Sequence, residues 1–114
     1  MKDIDQEMGE LLKLCQKHPV KISSTGEVVE YTPQTPNNPS VSELQKAMNS
    51  TMLSMMRLSE FKMPELHMFF DPEGKYMAKN SNLKATRLMK IYGNQDLDDT
   101  IVGDVIVFPS WYII

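Results

Sequence analysis

The sequence predicts a small single-domain α+β protein, with a mostly antiparallel sheet and two or three helices packed on one face. Three observations predict it. The chain has 114 residues, the size of one domain. Apolar residues recur at helical spacing in three separate stretches. Short β-rich runs are joined by turns containing Gly or Pro, the signature of sequential hairpins and hence of antiparallel pairing. Residues 1–19 are expected to form an N-terminal helix packed on the domain, and residues 20–114 the domain itself.

The first helix follows from Ile4, Met8, Leu11, Leu12 and Cys15, which share one face. Asp3 and Asp5 complement its dipole, and Pro19 stops it. Residues 20–23 and 27–32, separated by Ser24-Thr25-Gly26, read as a hairpin. Pro33, Pro36 and Pro39 then forbid helix and central strand, so this stretch is an extended surface loop. Ser40-Val41-Ser42-Glu43 is a capping box opening a helix to about Met48, with Val41, Leu44, Ala47 and Met48 on one face.

Residues 49–58 fit a helical stripe through Met52, Met55 and Leu58, and equally a strand. Asn49-Ser50-Thr51 are poor helix formers, which favours the strand. Residues 66–70 and 75–78 flank Asp71-Pro72-Glu73-Gly74, whose residue types suit a type I turn, so a second hairpin is expected there. Asn82 offers a cap to a helix carrying Leu83, Arg87, Leu88 and Ile91, with Gly93 as its stop. Residues 94–100 form an acidic loop. Residues 101–108 read as a buried strand interrupted by Gly103-Asp104. The tail Trp111-Tyr112-Ile113-Ile114 is too apolar to be left in water, so it belongs to a core or an interface.

A net charge of −3 argues against a general nucleic-acid or anionic-membrane surface, which needs a cationic field. No apolar run is long enough to span a bilayer, and the acidic, charge-interrupted start is not a signal peptide. The single Cys15 excludes an internal disulfide and fits a reducing cytoplasm.

Chemistry-bearing constellations are few. Cys15 and His18 are spaced to meet on a helix, but Cys15 lies on the apolar stripe and His18 at the helix end, so a buried thiol beside a surface His is expected. No second His or Cys completes a zinc set, and no metal or cofactor is expected. Asp96, Asp98 and Asp99 lack the Gly and closing Glu of a calcium loop. Lys75, Lys79, Lys84, Arg87 and Lys90 form a local basic concentration near the start of the last helix, where an anion is physically easy to place.

The second half of the chain resembles a family of small uncharacterised proteins found mostly in bacteriophages and bacterial mobile elements. The resemblance rests on Leu44-Gln45-Lys46, Asp71-Pro72-Glu73-Gly74-Lys75, Asn82-Leu83-Lys84-Ala85-Thr86 and Ile101-Val102-Gly103-Asp104, in that order. It covers roughly residues 27–108. The family has a Gly-Gly pair where this chain has Asn49-Ser50, which leaves the helix-to-strand break open. The resemblance supports a strand over 51–58 and implies a phage or mobile-element origin, with no activity attached.

The expected function is non-enzymatic binding: a host-takeover or anti-defence inhibitor that occludes a host bacterial protein. Met55, Met56, Phe61, Trp111 and Tyr112 are the expected partner contacts, since Met and aromatic residues favour interface centres. The apolar tail offers a homodimer by strand addition. The alternative is a sponge for a small anionic nucleotide, with Asn80, Asn82, Lys84 and Arg87 on phosphate and His67 or Tyr76 stacked on the base. A small enzyme of unknown chemistry is the third reading.

Overall fold

A computed structural model describes residues 4–34, 40–50, 52–59, 65–74, 80–93 and 100–111. Eight elements run in the order α1 (Ile4–Lys17), β1 (Val20–Ile22), β2 (Val28–Glu30), α2 (Val41–Met48), β3 (Ser54–Leu58), β4 (Leu66–Phe70), α3 (Leu83–Tyr92) and β5 (Val105–Pro109). The strands form one sheet in the order β2-β1-β5-β4-β3, and every neighbouring pair is antiparallel.

Alternation along the strands assigns each side chain to a face. Val20, Ile22, Leu58, Leu66, Met68, Val105 and Val107 point to one face. There they meet Met8, Leu11, Leu12 and Cys15 of α1 and Ala85, Leu88 and Met89 of α3 in the main core. Phe69, Ile106 and Phe108 point the other way, onto Leu44 and Met48 of α2. Two helices therefore share one face and the third covers the other. Every residue of β5 is buried, because this central strand is covered on both sides.

Local chemistry explains the element ends. The Ser40 hydroxyl accepts from the Glu43 N–H at 3.1 Å, which opens α2. Glu43 Oε2 accepts from the Tyr31 hydroxyl and the Gln34 N–H, each at 2.9 Å, so this carboxylate ties the preceding loop to the helix. Asn49 closes α2 at φ 51, in the left-handed region. Its N–H donates to the Lys46 carbonyl, and that of Ser50 to Gln45, which is the Schellman arrangement. Asn tolerates this conformation better than other non-glycine residues, so the chain breaks here and enters β3 without the glycine pair.

One expectation is corrected. Asp71–Gly74 does form a turn, with the Gly74 N–H donating to the Asp71 carbonyl at 3.2 Å. However, β4 is paired on both edges, by β3 and by β5, so this turn is not the tip of a hairpin on β4. The expected second arm, 75–78, lies outside the described residues.

Candidate functional site

Two of the residues expected to hold an anion hold the fold instead. Asn82 is fully buried. Its Oδ1 accepts from the Ala85 N–H at 3.1 Å, capping α3. Its Nδ2 donates to the carbonyls of Ile22 and Gly103, both at 2.9 Å, and its backbone N–H donates to Ile101. One side chain thus joins the end of β1, the start of α3 and the entry to β5. Lys84 Nζ donates to the Gly26 carbonyl at 2.7 Å and lies 3.8 Å from Glu7 Oε1. It also lines a cavity of about 210 Å³ with Glu7, Glu10, Leu11, Leu14 and Val28. The two carboxylates oppose an anionic occupant.

The remaining described members of that set do not all share a face. Asn80 is exposed, and its carbonyl accepts from the Gly103 N–H. Arg87 is half-buried on α3. His67 points to the opposite face of the sheet, between Arg57 and Phe108 in the strand register. Its Nδ1 is buried without a hydrogen-bond partner. Tyr76 lies outside the described residues.

Three of the motifs quoted for the family resemblance meet around Val102 and Gly103. A side chain at Gly74 would place its Cβ 3.0 Å from the Val102 carbonyl oxygen. Gly103 adopts φ 85, where a side chain is strained. Asp104 Oδ1 accepts from the Ser24 N–H at 3.0 Å, tying the first hairpin to the entry of β5. The Thr86 hydroxyl accepts from the Ile101 N–H at 2.9 Å. These residue types in this order are accounted for by a structural knot.

The expected partner contacts are also divided. Met55 lies on the α2 face, in register with Phe69, and is 41% exposed. Met56 points the other way, partly buried against the main core. Trp111 is 61% exposed, and its indole N–H donates to the Gln16 carbonyl at 3.0 Å near the end of α1. It therefore does not share a face with Met55. Phe61 and Tyr112 lie outside the described residues. Cys15 is fully buried, and burial pushes its thiol from 9.0 up to about 12, which removes the thiolate a nucleophile needs.

The α2 face stands apart. Among the described residues, the other face is covered by helices of 14 and 10 residues, and this one by a helix of 8. Tyr31, Phe69 and Phe108 stack edge to face beneath α2 and close its centre. Outside that footprint Val29 and Met55 remain exposed on the sheet, with Val41 at the start of α2 and Met52 just before β3. Beside the helix, Tyr31, Thr32, Gln34, Ser40, Ser42, Glu43, Lys46 and Ala47 line an open cavity of about 500 Å³. The sequence carries only an indirect signal of this face, in the shortness of the capped helix before Asn49.

Fold and face together define an α+β domain whose antiparallel sheet carries, among the described residues, two helices on one side and one on the other. Compared with known proteins, the chain matches no protein-family model, no curated protein and no solved structure. Among the described residues no helix is long and apolar enough to cross a membrane, and no group of three His, Cys, Asp or Glu side chains is placed to hold a metal ion.

Proposed function

We propose that the protein is a non-enzymatic binding protein that occludes a host bacterial protein, with the α2 face as its contact surface. One observation carries the reading: among the described residues, Val29, Val41, Met52 and Met55 are each more than 40% exposed around the eight-residue α2. Exposed apolar side chains on one face, with the exposed cations Lys46 and Arg57 on the same α2 and β3 elements, suit contact with another protein. The phage resemblance supports a host protein as that partner and the bacterial cytoplasm as the place of action, with host takeover or anti-defence as the outcome.

Capture from a bacterial lysate tests it. The chain is expected to retain a stoichiometric protein through a high-salt wash, because apolar contacts are not screened by salt. Val41→Lys combined with Met52→Lys is expected to abolish capture while Trp111→Ala leaves it intact. Loss with Trp111→Ala and retention by the double variant would overturn the assignment.

A further inference from the structure

We infer that β3 pairs with β3 of a second copy of this chain, about a two-fold axis at Met56, to make one continuous sheet. Among the described strands, β2 and β3 are the sheet edges. β2 is protected: it has three residues, Glu27 precedes it, Glu30 ends it, and Pro33 follows closely. β3 has five residues, no proline and no acidic side chain. Its one charge, Arg57, already lies 3.4 Å from Glu65 of the same chain. Apart from that paired arginine, an extended edge of this composition has few of the features that keep edges single.

The sequence of β3 is compatible with itself. Pairing all five residues with their antiparallel copies centres on Met56. Met55 then faces Arg57 of the second copy, and Ser54 faces Leu58. No like charges oppose each other. The exposed Met55 gains the aliphatic stem of the second copy's Arg57 on each side of the axis. Directly paired residues of antiparallel strands point to the same face, so both α2 helices would lie on one side and their faces would join. Five residues per copy is a short contact beside the roughly 20–30 a side of a tight interface, so the association is weak and concentration-dependent.

The register makes a charge test available that does not involve a host partner. Sedimentation velocity of the full chain over a concentration series is expected to show reversible dimerisation. Met55→Glu places a carboxylate opposite each Arg57 and is expected to tighten the dimer by roughly 2–30-fold, from two cross-strand pairs of opposite charge. Met55→Lys is expected to weaken it, and adding Arg57→Glu to Met55→Lys to restore it. Circular dichroism checks that each variant is folded. A monomer at every concentration for both the unaltered chain and Met55→Glu would overturn the proposal. So would Met55→Glu and Met55→Lys shifting the equilibrium in the same direction.

Discussion

Changing Asn82 to Ala removes a fully buried side chain that makes three hydrogen bonds. The substitution loses the cap on the Ala85 N–H, a term of about 1 kcal/mol. It also strips the donors from the Ile22 and Gly103 carbonyls, and an unsatisfied buried group costs about 1–3 kcal/mol. Together these destabilise the fold by about 3–7 kcal/mol, a large part of the roughly 6–15 kcal/mol available to a domain of this size. Chemical denaturation followed by circular dichroism measures the loss, and thermal melting should show a drop of about 12–30 °C. Asn82→Asp keeps the capping oxygen but not the two donors, so it is also expected to be destabilising. Asn80→Ala, at an exposed side chain two residues away, should stay within about 0.5 kcal/mol. A loss below about 1 kcal/mol for Asn82→Ala would refute the reasoning and return Asn82 to the ligand reading, because a residue kept for a ligand contributes little to stability.

Four further outcomes are expected. Cys15 should resist a thiol reagent in the native protein at pH 8 and react on unfolding, as its burial and raised pKa require. The unfolded thiol loses its proton above pH 9.0 while the folded one keeps it to about 12, so its contribution to stability is intact below pH 9 and falls as pH rises through that window. The fall is at most about 1.4 kcal/mol per pH unit, and Cys15→Ala should flatten the stability–pH curve there. Gly103→Ala should cost about 1–2 kcal/mol in a denaturant titration, since φ at this position is 85. Tyr31→Phe should cost about 1 kcal/mol by removing the hydroxyl bonded to Glu43 while leaving the ring against Phe108.

What was legible in the sequence was local. Ser40 and Asn82 announce their helices because a capping oxygen acts within three residues. Strand at 54–58 was favoured by poor helix formers at Asn49-Ser50, and the left-handed Asn49 shows why the helix stops. The turn at Asp71–Gly74 was equally legible, but turn chemistry does not reveal which strand pairs with which. Both neighbours of β4 are set by long-range register.

The site was less legible for the same reason. Met55 and Met56 look alike in sequence, and only the fold separates the exposed side chain from the one partly buried against the main core. Lys84 reads as a free cation, yet its ammonium bonds a carbonyl 58 residues away in the chain. Burial of Asn82 between three segments is likewise invisible to any local pattern.

The most direct measurement places a photo-crosslinking amino acid at single positions and irradiates the protein inside bacterial cells. Positions 29, 41 and 55 sample the α2 face, and positions 83 and 111 sample exposed sites away from it. The account predicts one host protein crosslinked from the first three positions and absent from the other two. The same host protein crosslinked only from 83 or 111 would contradict it.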